Sequence, residues 1–318
     1  MTGLIMKYLG NPTLNKMEDS ACLPGINGRM AFTTDSFVVS PAFFSGGDIG
    51  KLAVCGTVND LAAAGAKPLF LTAGLILEEG FSIRSLEKIL ISMKKTAFEA
   101  GVTIVAGDTK VVERGKADKI FINTSGLGSI NQSCGELSVS NAAPGDAVII
   151  SGTLGDHETA ILKERKGLSF KSLVKSDCAP LYGMIKPLLR LGKSLHSMRD
   201  ATRGGLAAVL NEIAASSGVD LMIYGSRIPV NKAVKAACGL FGFDPLFMAN
   251  EGKMAVICDS GVKNRVLKIL RKHKYGRKAA IIGEVLRRNK SPKVYEKTDS
   301  GGERIVLMPE GEMLPRIC

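Results

Sequence analysis

Five aspartates sit among small residues where strands or helices should end: Asp19 in MEDSA, Asp35 in TTDSF, Asp60 in TVNDLA, Asp108 in AGDTK and Asp200 in RDATRGG. Their apolar flanks put several of these carboxylates at a core edge, where an unpaired charge is costly, so they call for cationic partners. Magnesium carrying phosphate is a natural one, because Mg2+ takes hard oxygen ligands from carboxylates, waters and phosphates. Any one aspartate alone reads as a helix cap or a turn former; five together point to phosphate chemistry. In RDATRGGLAAVLNEIA, Gly204 and Gly205 open a helix whose first amides and dipole could hold a phosphate, with Thr202 and Arg203 as further donors. Lys110 beside Asp108 reads either as half of a surface ion pair or as an electrostatic stabiliser of phosphate. Asn250 and Glu251 in MANEGK lie in a tight loop before a strand, and His157 in GTLGDHETA follows a strand, where a structural role is the simpler reading.

Standard nucleotide motifs do not account for this set. SGGDIGKL differs from a P-loop in having Ser45 at the first glycine position and Leu52 where Ser or Thr must hold the metal. GLGSIN lacks the third glycine of a dinucleotide fingerprint and no helical pattern follows it.

The other reactive candidate is the last residue, in LPRIC. Seven cysteines (22, 55, 134, 178, 238, 258 and 318) show no C-x-x-C spacing, and an odd, scattered count argues against disulfides or structural zinc. Cys55 and Cys258 lie in apolar runs and read as core, whereas Cys318 stands apart. Residues after about 296 carry Gly301, Gly302, Pro309, Gly311 and Pro315 and read mostly as a flexible tail, with a possible short strand at ERIVL. Extended, the 18 residues from Gly301 to Cys318 would span up to roughly 60 Å.

Around these residues, the 318-residue length, 45% hydrophobic content and positive mean hydropathy predict two globular domains. No run of eighteen apolar residues and no leader pattern is present, so a cytoplasmic protein is expected, with no membrane partner. The net charge of +12 comes without tryptophan and with only 5% aromatics, which favours a solvated basic face or an acidic protein partner over nucleic acid.

Strands are predicted at 30–40, 68–79, 102–107 and 119–130, with helices at 48–65 and 82–101 between them. The Pro-Gly turn in NAAPGDAVIISG marks a boundary, after which come strand 147–152, helix-like segments at 180–194 and 198–218, strand 219–224, helix 231–242, strand 253–260, a basic helix and strand 279–285. This divides the chain into 1–143, 144–298 and a tail at 299–318. The fold class is α/β (α+β), with two domains.

Taken together, GGDIGKLAVCGTVNDLA, LILEEG, AGDTKVVERGKADKIFINT, SGTLGDHE, RDATRGG, ANEGK, IIGEV and the terminal LPRIC resemble the HypE family, the carbamoyl dehydratases of NiFe-hydrogenase maturation. The similarity runs from about residue 8 to the end. More widely the motifs are similar to the superfamily of aminoimidazole ribonucleotide synthetase. The resemblance implies a homodimer built from N-terminal domains and a cleft that binds ATP and Mg2+. It further implies that a carbamoyltransferase, HypF, loads a carboxamide on Cys318, that ATP drives its dehydration to a thiocyanate, and that the cyano group passes to iron on the HypC–HypD complex. By this resemblance Cys318, Lys110 and Glu251 are catalytic, and Asp19, Asp35, Asp60 and Asp108 bind metal. Asp35, Asp60, Asp108, Thr109, Asp200, Thr202, Arg203, Gly204, Gly205 and Asn250 meet the nucleotide. The chain departs from the family at Glu158, where glycine is usual, and in beginning after the position of a glycine-rich H-G-S-G-G stretch expected to cover phosphates. A carrier protein of the same pathway and a small-molecule kinase of the superfamily are the alternative readings.

Overall fold

The computed structural model describes residues 1–318 except 19, 27, 132–134, 166–172, 299 and 311–313. Asp19, expected to bind metal, lies outside the described residues.

The first half runs α1 (Thr2–Leu9), β1 (Arg29–Phe37), the short pair β2 (Phe43–Phe44) and β3 (Gly47–Asp48), α2 (Ile49–Ala63), β4 (Ala66–Glu78), α3 (Ile83–Ala100), β5 (Thr103–Val112) and β6 (Ile120–Ile130). Its main sheet has the order β1-β6-β4-β5; β4 and β5 are parallel and the other pairs antiparallel. The helix α2 starts as its sequence predicts, with Asp48 Oδ1 accepting from the amides of Gly50 (2.8 Å) and Lys51 (3.0 Å). It is buried on nearly every side, which its small residues permit: a Cβ on Gly56 would come within 2.8 Å of the Phe37 ring. The amphipathic α3 packs beside it and stops at Gly101 in the left-handed conformation. No helix was expected at the N-terminus, yet α1 forms and rests on α3.

The second half runs β7 (Ala147–Ile150), α4 (Asp156–Glu164), α5 (Tyr182–Ile185), β8 (Leu195–Asp200), α6 (Gly205–Ser217), β9 (Val219–Tyr224), α7 (Lys232–Phe241), β10 (Met254–Cys258), α8 (Lys263–Lys272), β11 (Ala280–Arg288), β12 (Val294–Lys297) and β13 (Glu303–Val306). These strands form one sheet, β13-β12-β9-β11-β7-β10-β8, antiparallel except for the β12–β9 pair. One face packs under α6 and the other under α5 and α8, so β7 and β10 are buried on both sides and read as continuous apolar runs.

Three expectations change here. Residues 180–194 are not one helix: α5 gives way at Pro187 to a 3-10 segment over Leu188–Ser194, itself kinked at Gly192 (φ 55°, ψ −125°). Residues 198–200, grouped by sequence with the following helix, end the strand β8 instead. The tail expected to be mobile first supplies the edge strand β13, as ERIVL suggested, and its last residues are docked against the first half. There the Val38 amide donates to the Cys318 carbonyl (3.0 Å) and the Ser40 amide to the Arg316 carbonyl (3.1 Å).

The two halves meet on α2. The buried Asn59 side chain accepts from the Leu181 amide (2.8 Å) and donates to the carbonyls of Ala179 (3.1 Å) and Glu251 (3.4 Å), while Ala62 and Ala63 join the apolar cluster of the second half. Asn59→Leu should strand these backbone groups and lower stability by about 2–4 kcal/mol. A chemical denaturation curve checks this, and an unchanged midpoint would contradict the role given to the amide.

Candidate active site

Strand alternation places Thr33, Asp35 and Phe37 of β1 on the side facing α2. Asp35 Oδ2 accepts from Thr57 Oγ1 (3.3 Å), and Asp60, one residue beyond the Asn59 bridge, accepts from Thr33 Oγ1 (2.8 Å). Asp200 reaches the same place from the end of β8, with Arg199 and Arg203 nearby. A cleft of about 430 Å³ between the halves is lined by Thr33, Asp60, Ser138, Arg199, Asp200 and Thr202. Burial, with the negative charge of Asp60 behind it, pushes Asp35 up to about 6 and Asp200 up to about 7. Asp60 is raised by burial against the opposing bond from Thr33.

Glu251 is buried behind this region, near enough for the charges of Asp200 and Asp35 to act on it. Its backbone is fixed by the Asp177 carboxylate, which accepts from the Glu251 and Gly252 amides at 3.2 and 3.1 Å and pairs with Lys253 Nζ at 2.8 Å. A Cβ on Gly252 would fall 1.9 Å from the Asp177 carbonyl oxygen, so only glycine lets these two loop segments approach. Burial would raise Asp177, yet Lys253 holds it below its ordinary range. The Glu251 carboxyl is buried, its Oε1 has no partner, and burial followed by the charges of Cys178, Asp177, Asp200 and Asp35 raises it well above the carboxylate range.

The other expected residues are placed differently. Asp108 and Lys110 are exposed on the face of the sheet opposite Asp35, in register with Gly74 and Ile76, and pair with each other at 2.9 Å. They are not in the cleft of this chain. Thr109, with Asp108, borders a cavity beside α1. Gly204 and Gly205 both have positive φ and turn the chain into α6, but the amides of Gly205, Ala207 and Ala208 are already bonded to the carbonyls of Thr202, Leu246 and Gly204. A phosphate would therefore rely more on Thr202 and Arg203 than the glycine pattern suggests. Asn250 spends its amide on the backbone, accepting from Gly155 and donating to Ala201 and Met248.

Cys318 rests partly buried beside Val38 and the core of the first half. Three residues of extended chain, about 10 Å, separate Val38 from Asp35. Residues not singled out by sequence hold this end: Arg165 donates to the carbonyls of Ser40, Pro315 and Arg316, and the Arg316 side chain pairs with Asp118 and lies over the Phe121 ring. Glu158, the bulky departure, is buried with Oε2 accepting from the Ala249 amide (2.6 Å), and burial pushes it up to about 7. Asn59 and Asp177 were also missed, although Asn59 stands directly before Asp60 in TVNDLA.

Comparison with known proteins matches residues 17–130 to the N-terminal domain, and residues 143–294 to the C-terminal domain, of AIR synthase related proteins. The chain is 48% identical to carbamoyl dehydratase HypE of Bradyrhizobium diazoefficiens, covering 100% of this chain and 92% of that protein. It is 46% identical to HypE of Azotobacter vinelandii, with coverages of 99% and 92%. A crystal structure of hydrogenase maturation protein HypE in complex with ATP superposes with a TM-score of 0.94 at 44% identity, covering 100% of this chain and 95% of that one. HypE from a HypE–HypF complex gives 0.85 at 50% identity, covering 97% and 99%. Matched from end to end in sequence and in both domains, the chain belongs to the HypE family of carbamoyl dehydratases.

Proposed function

We propose that the chain dehydrates an S-carboxamide on its own Cys318 to an S-cyanate at the expense of ATP, and so provides the cyano group used on iron in hydrogenase maturation. The observation that carries this reading is the docking of the C-terminal residues just past the end of β1, the strand that lines the cleft with Thr33 and carries Asp35 beside the cleft carboxylate Asp60. The HypE relative bound to ATP supports ATP as the phosphoryl donor, and the HypE–HypF complex supports a HypF-type carbamoyltransferase as the source of the carboxamide. The cyano group would leave for a HypC–HypD complex.

In this reaction the carboxamide oxygen departs on phosphate, both nitrogen protons are released, and a C≡N triple bond replaces the amide; ADP and phosphate are the other products. Thr202 and Arg199 line the approach for phosphate, and Arg203 is close enough for its charge to act on Asp35. Glu251 moves protons: it gives its own to the departing phosphate oxygen and takes one from nitrogen. The pair Asp35 and Asp60 would hold Mg2+. Among the described residues no three His, Cys, Asp or Glu side chains converge as a metal cage, but a phosphate-bound Mg2+ needs only one or two protein carboxylates. Burial, and behind it the charge of Asp60, raises Asp35 and Asp200, and it is this crowding of negative charge that such a cation would relieve. When bound, it supplies charge neutralisation for the transferred phosphoryl group.

Two chains would pair through the outer face of the four-stranded sheet, which exposes Met30 (58%), Phe32 (72%) and Ile76 (41%). Asp108 and Lys110 stand on that face, so their share in the reaction belongs to the dimer. No helix among the described residues is long and apolar enough to cross a membrane.

Adding Mg-ATP to protein carbamoylated at Cys318 should remove one water mass from the intact-mass spectrum, and Asp60→Ala should prevent it; nucleotide binding with no such loss would sink the dehydratase reading. Glu251→Gln should keep nucleotide affinity while slowing the loss at least ~100-fold, read by single-turnover mass spectrometry. Asp35 and Asp200 ionise at higher pH in the folded protein than in the unfolded chain. Their stabilising contribution is therefore full at low pH and is lost as pH rises from the ordinary carboxylate range through about 6 to 7. Asp200→Asn should accordingly raise stability at pH 8, by on the order of 1 kcal/mol, and leave it unchanged near pH 4, while lowering turnover; thermal melts at both pH values check this.

A further inference from the structure

His157 is fully buried between the two halves, and both of its ring nitrogens are engaged. Nε2 lies 2.8 Å from the carbonyl oxygen of Ile317, the residue before Cys318, and Nδ1 lies 2.7 Å from Ser176 Oγ. A carbonyl can only accept, so Nε2 must carry the proton. Nδ1 of the neutral ring is then an acceptor, and Ser176 donates to it while its Oγ accepts from the Cys178 amide at 3.1 Å. The edge of the Phe44 ring meets the imidazole in a T-shaped contact at 5.4 Å and fixes its plane. Burial favours the neutral ring that this wiring requires.

The imidazole does not act alone on the tail. Arg165 Nη2 donates to the carbonyls of Pro315 (2.6 Å) and Arg316 (3.1 Å), so His157 and Arg165 together hold three consecutive carbonyls ahead of the terminal residue. Each of these bonds ends on the main chain and none on sulfur. Such a grip is indifferent to what the sulfur carries.

We propose that His157, held in its Nε2-protonated form by Ser176, is a positioning residue that latches the C-terminal backbone in the docked place and thereby sets where Cys318 waits between chemical steps. That this place matters to dehydration rests on the function proposed above; the latch itself does not. Residue-resolved alkylation of Cys318 with iodoacetamide, followed by peptide mass spectrometry, reads docking directly, as does hydrogen exchange at the amides of Val38 and Ser40. His157→Ala should raise the Cys318 alkylation rate at least tenfold and remove protection at Val38 and Ser40, with exchange in the preceding strand β1 unchanged. His157→Gln, whose amide can still donate to the Ile317 carbonyl, should restore most of the protection, and Ser176→Ala should give an intermediate rate. If His157→Ala does not fold, the Gln and Ser176 variants carry the test alone. Alkylation and exchange equal to those of the unaltered protein in His157→Ala, or in Ser176→Ala if His157→Ala does not fold, would overturn the latch, whether or not dehydration is observed. Loss of protection without any change in the rate of water loss would keep the latch and separate it from the reaction.

Discussion

One buried amide sets the geometry on which the rest depends. Asn59 bonds the Leu181 amide and the Ala179 and Glu251 carbonyls from a helix that belongs to the other half of the molecule. A polar side chain at such a depth is tolerated only when its donors and acceptor are met, so the two halves can close in a single register. That register also fixes the chemistry, because Asp60 follows Asn59 on the same helix and Glu251 is the residue whose carbonyl the amide holds. Domain docking and the spacing of the carboxylates are one constraint.

The cleft itself works against stability. Asp35, Asp60 and Asp200 are drawn together at the edge of two apolar cores, and each is raised by burial. The adjoining pair Asp177 and Lys253 shows the opposite solution, a 2.8 Å ion pair with backbone amides filling the carboxylate's remaining positions. Around one cleft, among the described residues, the protein thus pairs the charges that build the site and leaves without a cationic ion pair those open to a ligand.

Much of this was legible in the chain. Asp48 and Gly101 announce the ends of α2 and α3 through capping chemistry, and the apolar runs of β7 and β10 announce a sheet covered on both faces. What failed was non-local. Nothing in RDATRGG says that its aspartate closes an edge strand, and nothing in GDTK says which face of β5 its charges occupy, since a strand's alternation gives two faces without naming the inner one. Glycines at 301, 302 and 311 suggested a tail without a place, because the carbonyls that dock it carry no side-chain signal and their donors, His157 and Arg165, lie some 150 residues away (160 and 151 positions respectively).

The docked terminus also changes the kinetics open to the proposed reaction. A group borne on the chain's own end reaches the cleft at an effective concentration set by the tether, of millimolar order for a short flexible link, so the rate is independent of how dilute the protein is. No saturation by carbamoyl donor can speed that step, and no free amide can compete with it. The bonds from Val38 and Ser40 to the terminal residues then act as a timer, since the fraction of time the tail spends released divides it between its own cleft and any protein that must reach the same sulfur.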